Sequence, residues 1–166
     1  MLRNSNEDDG ALEYYFHKVD EPIFSYYCTC IVGQALMQIV IDPSAILAVL
    51  LNEPERDALI RATRLSTLIT PASTPWEIGN ALIAGFRRRR LSQDDVSAAW
   101  DSFEGISLRL VEVDISRALV TAAKHALYAY DAYVLELADA RRAPLLTLDQ
   151  TLAHAAKQAG VALLEI

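Results

Sequence analysis

Short apolar runs alternate along this chain with longer stretches in which apolar residues recur every three or four positions, and the alternation becomes regular from about Met37. Residues 39–42 (Ile-Val-Ile-Asp) carry a buried-strand signal. Pro43 follows where its missing N–H costs nothing in a first helical turn, so a helix is expected over about 44–52. A second helix opens at Pro54 and runs through Arg64. Thr67–Thr70 reads as a strand closed by Pro71, and a third helix as spanning about Thr74 to Arg90. Ser92, with Asp94 and Asp95 in the next turn, caps a fourth helix that reaches about Phe103. Beyond it the pattern predicts a strand at 107–113 and helices at 116–125 and 131–141. It closes with a strand at 144–148, a helix at 150–159 stopped by Gly160, and a last strand at 161–164.

Strands that alternate with helices predict a central, mainly parallel sheet covered on both faces. Residues 1–36 lack that order. They hold two basic residues against six acidic ones and six of the thirteen aromatics, with no periodicity. The expected organisation is therefore an N-terminal extension over 1–36, poorly ordered or a non-native start, followed by one domain over 37–166. A natural start at Met37 would leave a 130-residue protein.

Composition narrows the function classes. With 166 residues and 52% hydrophobic content, the chain can bury a core without disulfides or metal staples. Lys and Arg number 15 against 22 Asp and Glu, a formal net charge of −7. That excludes a protein that coats nucleic acid with a carpet of positive charge. Contact with a polyanion has to come from a local basic patch or a bound cation. The apolar stretch 31–51 is interrupted by Gln34, Gln38, Asp42 and Pro43. One central Asp alone costs about 2.5–3.5 kcal/mol on membrane insertion, so no membrane span is expected. The first twenty residues hold five acids, the wrong sign for a secretory leader, and a soluble cytoplasmic protein is expected. Cys28 and Cys30 read as reduced thiols.

Several chemistries are missing. There is no phosphate-binding Gly-rich loop of either common kind, no Gly-x-Ser-x-Gly elbow and no His-Glu-x-x-His pair. His17, His125 and His154 are scattered, which argues against a zinc hydrolase.

Four carboxylates stand out instead. Asp42 and Asp149 each end an apolar strand, and sites in parallel α/β sheets form outside the carboxyl ends of strands. Glu77 lies in the first turn of the helix after the strand at 67–70, and Asp131 opens the helix that leads back to the strand at 144–148. All four fall at one sheet edge. Singly, each also fits a helix cap or a carboxylate complementing a helix dipole. Together they repel one another and raise one another's pKa values unless a cation compensates. Oxygen-only ligands select hard ions, so Mg²⁺ or Mn²⁺ is the natural partner.

These residues carry a family resemblance. Ile39-Val-Ile-Asp42-Pro-Ser44, Pro75-Trp76-Glu77-Ile-Gly-Asn80-Ala-Leu82, Tyr130-Asp131-Ala132-Tyr133-Val-Leu-Glu-Leu-Ala138 and Leu145-Leu-Thr147-Leu-Asp149 resemble the four motifs of PIN-domain ribonucleases, in order and at matching spacings. The likeness is greatest to VapC-type toxins of toxin–antitoxin pairs and covers about residues 38–166. It implies a three-layer α/β/α fold and Mg²⁺- or Mn²⁺-dependent cleavage of RNA phosphodiesters. It also implies a homodimer, and inhibition by a small antitoxin whose tail occupies the cleft. Carried over by position, Asp42, Glu77, Asp131 and Asp149 are the catalytic metal ligands. Asn80 accompanies Glu77 on one helix face, and Ser44 and Thr147 match supporting hydroxyl positions. Pro43 stands where the family more often has a small residue, and residues 1–36 have no counterpart. A non-catalytic interaction module that kept the fold is the alternative; the presence of all four acids weighs against it.

One basic feature is left over. Arg87-Arg88-Arg89-Arg90 is expected to end the third helix, either as a solvated turn offsetting the dipole or as a contact for RNA or an acidic antitoxin segment. At 1.5 Å rise per residue it lies about 15 Å beyond Glu77, too far to touch the reacting phosphate.

Overall fold

A computed structural model describes residues 36–166. Within it the elements are β1 (Gln38–Ile41), α1 (Pro43–Leu50), α2 (Arg56–Thr63), β2 (Thr67–Pro71), α3 (Thr74–Arg87), α4 (Gln93–Glu104), β3 (Leu108–Val111), α5 (Ile115–His125), α6 (Ala129–Arg141), β4 (Leu145–Leu146) and α7 (Gln150–Ala159). The N-terminal extension, with His17, Cys28 and Cys30, lies outside the described residues.

The four strands form one sheet in the order β3-β2-β1-β4, every pair parallel. Alternation along the strands feeds two cores. Ile39, Ile41 and Leu146 face α1–α4 and pack with Ile46, Leu59, Ile78, Leu82 and Phe103. Val40, Ile69 and Leu145 face the other side and pack with Val134, Leu135, Leu152 and Ala156 of α6 and α7. Both sheet faces are therefore apolar, as a parallel sheet covered by helices requires. Each fully buried Leu or Ile contributes roughly 1.5–3 kcal/mol. α5 packs on the outer side of α6. The Arg117 Nε of α5 meets the buried Glu136 of α6 at 3.1 Å. The expected three-layer α/β/α fold is what the chain adopts.

Differences from the sequence reading fall at element ends. The third helix stops at Arg87, not Arg90. Arg89 enters the left-handed region at φ 57°. The Arg89 N–H donates to the Phe86 carbonyl at 2.9 Å and the Arg90 N–H to the Gly85 carbonyl at 3.0 Å, which closes the helix as a Schellman motif. Leu91 folds back over that end, and a Cβ on Gly85 would approach its Cδ1 to 2.8 Å, so a larger residue there would have to displace the Leu91 side chain. The strand expected at 144–148 shrinks to Leu145–Leu146, because Thr147–Asp149 are diverted to side-chain contacts described below. The strand expected at 161–164 is a single bridge from Leu163 to Leu145, since its neighbour offers little more to pair with. α2 starts at Arg56, two residues late, and α6 at Ala129, two residues early.

Strand order fixes where a site can form. The chain steps from β1 to β2 to β3 in one direction and then returns to place β4 on the other side of β1. The order reverses between β1 and β4, and clefts in open parallel sheets form at the carboxyl end of such a switch point. Asp42 and Asp149 follow those two strands.

Candidate active site

Asp42 is built in from several directions. It leaves β1 in an extended conformation and caps α1, its Oδ2 accepting the Ser44 N–H at 3.0 Å. The same Oδ2 accepts the Ser44 and Thr147 hydroxyls, the latter at 3.0 Å. Ser44 Oγ in turn accepts the Leu148 N–H at 3.0 Å, and Thr147 Oγ1 the Asp149 N–H at 3.0 Å. Two hydroxyls thus clasp the ends of β1 and β4 around one carboxylate oxygen. Oδ1 accepts no hydrogen bond among the described residues. Asp42 is only 5% exposed. Burial pushes its pKa up and nearby Asp149 adds to this, against the hydrogen bonds from Ser44 and Thr147.

Asp149 caps α7, its Oδ1 accepting the Leu152 N–H at 2.8 Å. The sequence left open whether Asp42 and Asp149 were caps or site residues. Each is a cap through one oxygen only, which frees the other.

Glu77 stands in the first turn of α3, half-buried, with its Oε1 accepting the Ser73 hydroxyl at 3.0 Å. Burial, with the charges of Asp42 and Asp131, raises its pKa to about 7. Asp131 is the third residue of α6 and is also half-buried. Its pKa is raised by burial and by Asp42 and Asp149, opposed by the Tyr128 backbone N–H. The four acids thus lie within electrostatic reach of one another, each of the raised groups responding to at least one other.

No three acidic, His or Cys side chains among the described residues enclose a metal ion as a ready-made cage. All the donors are hard oxygens, and Asp42, Glu77 and Asp149 each anchor one oxygen to the protein and leave one unclaimed.

Among the supporting positions, Ser44 and Thr147 are brought to Asp42, whereas Asn80 is exposed, one turn beyond Glu77, and has no hydrogen bond among the described residues. Arg87–Arg90 are all exposed. Arg87, Arg89 and Arg90 line a shallow groove with Phe86 and Leu91, at the far end of α3 from Glu77.

Two features escaped sequence reasoning. Ser73, which holds Glu77, is marked only by its i, i+4 spacing at a helix start. The buried Thr70 hydroxyl donates to the Ile41 carbonyl at 2.9 Å and lies 2.7 Å from the Thr74 hydroxyl. That pair ties the end of β2 and the start of α3 to the residue before Asp42. Its sequence signal is two threonines bracketing Pro71.

Comparisons with known proteins bear on the family and the fold. The family model described as PIN domain matches residues 39–158. Ribonuclease VapC3 of Pyrobaculum aerophilum is 31% identical over 123 residues, covering 71% of this chain and 94% of that protein. Two crystal structures share the fold. PAE2754 from Pyrobaculum aerophilum superposes with a TM-score of 0.54 at 21% identity, covering 73% of this chain and 87% of that one. VapBC2 from Rickettsia felis, bound to a DNA fragment from its promoter, gives a TM-score of 0.55 at 13% identity, with coverages of 78% and 98%. The chain belongs to the PIN domain family.

Proposed function

We propose that this protein is a divalent-metal-dependent endoribonuclease, the toxin of a type II toxin–antitoxin pair. The observation that carries the reading is the set of four acids at the sheet's switch point, with one oxygen each on Asp42, Glu77 and Asp149 held by the protein and one left free. The 31% identity to a VapC ribonuclease supports it. The likeness in fold to a VapBC2 structure supports the pairing with an antitoxin.

Asp42, Glu77, Asp131 and Asp149 would hold Mg²⁺ or Mn²⁺, which when bound acidifies water and offsets phosphate charge. The chain's own residues do the rest. Ser44 and Thr147 fix Asp42 in one orientation, so its free oxygen needs no reorganisation. Ser73 holds Glu77 in place, and Glu77 completes the site and orients the attacking water. The exposed arginines after α3 offer phosphate contacts flanking the cleaved bond or a face for an acidic antitoxin segment. On the same family reading the protein is a cytoplasmic homodimer. No helix among the described residues is long and apolar enough to cross a membrane.

The test is incubation of the purified protein with a structured RNA in Mg²⁺, in Mn²⁺ and in EDTA, beside Asp131→Asn. Cleavage in either metal, abolished by EDTA and by the substitution, is expected. Cleavage that persists at the wild-type rate in a folded Asp131→Asn protein overturns the assignment. A protein that binds RNA or an antitoxin but cuts nothing in either metal is the non-catalytic module instead.

A further inference from the structure

The carboxyl edge of the sheet has a second half that the chemistry above does not use. A pocket of about 270 Å³ opens where β2 and β3 end and α3, α5 and α6 begin. Its walls include Trp76, Tyr130 and Tyr133, with Ser73 and Glu112 as polar groups. Trp76 is 69% exposed and Tyr130 44% exposed. Tyr130 and Tyr133 meet edge to face at 5.7 Å. The pocket adjoins the acids through Ser73, which both lines it and holds Glu77; Trp76 and Tyr130 immediately precede Glu77 and Asp131 in sequence.

We propose that this pocket receives the unstacked nucleobase of a nucleotide next to the scissile phosphate, and that Trp76 is its principal stacking surface. The proposal rests on the ribonuclease reading above and names the substrate recognition of that same site. The acids hold a phosphate only through a bound cation, so contacts to the neighbouring nucleotide come from elsewhere on this edge. Base–aromatic stacking supplies affinity that needs no positive charge. Single-stranded RNA presents bases that splay out onto aromatic side chains. At about 270 Å³ the space lies below the range of roughly 300–1,000 Å³ typical of drug-sized ligands, and fits one planar ring system. Glu112 as a carboxylate accepts hydrogen bonds only, so it favours a base edge that offers an amino or imino N–H.

The experiment uses the full chain and short oligoribonucleotides in which one abasic residue is stepped past the cleavage point. Wild type, Trp76→Ala and Glu112→Gln are compared, with Mn²⁺ binding by calorimetry and thermal melting as controls. Removing the base at one flanking position is expected to lower wild-type kcat/KM by about 5–150-fold, the worth of one stacked base. Trp76→Ala should lose the same factor on intact RNA, lose nothing further on the abasic one, and bind Mn²⁺ as wild type does. Glu112→Gln should change the preference among bases at that position while still cutting. Equal losses on intact and abasic RNA, or none on either, overturn the pocket's role. So does a Trp76→Ala protein that cuts normally but changes its oligomeric mass or its hold on a co-expressed antitoxin, since the occupant is then a protein side chain. A wild type that cuts no RNA removes the ribonuclease reading and the pocket with it; one that cuts but ignores Trp76→Ala removes the pocket alone.

Discussion

Two pairs of hydroxyls stand at the same edge of the sheet and do different work. Ser44 and Thr147 spend themselves on a carboxylate, joining β1 to β4 through Asp42 Oδ2. Thr70 and Thr74, both fully buried, spend themselves on a backbone carbonyl, joining β2 and α3 to β1 through Ile41. The first pair holds a group whose charge the surroundings disfavour. The second satisfies a buried polar atom at no electrostatic cost. On the proposed function the first pair serves activity and the second stability, although Ile41 and Asp42 are adjacent in sequence.

The largest expected effect is at Asp42 itself. Asp42→Asn should lower RNA cleavage by about 10³-fold or more, because metal assistance is worth several kcal/mol at the transition state. The same change removes a disfavoured buried charge, so the melting temperature is expected to hold or rise; a fall with cleavage retained would break the distinction between the two pairs. Thr147→Val comes next. Loss of such an orienting partner typically costs 10–100-fold in metal affinity or activity, and Mn²⁺ titration with cleavage assays reads both. Thr70→Val should do the converse: a loss of about 1–3 kcal/mol in denaturant unfolding from the orphaned carbonyl and hydroxyl, with cleavage per folded molecule close to wild type. If Thr70→Val abolished cleavage in folded protein, the second pair would belong to the catalytic centre as well.

The smallest effect is the pH dependence of the metal-free protein. Glu77 has its pKa raised from 4.5 to about 7, so the folded chain binds more protons than the unfolded chain between those values. Stability from this group is therefore lost as pH rises across that interval, and the raised values of Asp42 and Asp131 act in the same direction. Mg²⁺ should raise the melting temperature more at pH 8 than at pH 5. Equal shifts at the two pH values would mean that the cation does not bind among these acids.

Much of this was legible in the residues. Ile39-Val-Ile-Asp42-Pro43 marks a buried strand, its exit and a helix start in five letters, and all three fall where the pattern puts them. The acids at helix starts were equally plain, because first turns and strand ends are positions that sequence alone can locate. The last strands were over-extended because Leu145–Leu148 is apolar enough to continue. Thr147 leaves the ladder to bond Asp42, 105 residues earlier, and nothing local announces so distant a partner. Arg87–Arg90 looked helical because arginine is a good helix former; the helix stops where Arg89 turns left-handed and the Schellman pair closes it, which propensity does not show. The Thr70–Thr74 pair was missed because threonine is unremarkable at a strand end until its neighbour across the sheet is known.

The clasp between residues 44 and 147 also has a meaning in time. Asp42 is made early and its brace late, since Thr147 and Asp149 follow more than a hundred residues behind it. A nascent chain carries β1 with its β4 side open until nearly the whole domain has been synthesised. Contacts of such long sequence separation are among the last to form. On the proposed function, the acids cannot come together until Thr147 and Asp149, more than a hundred residues behind Asp42, have been made.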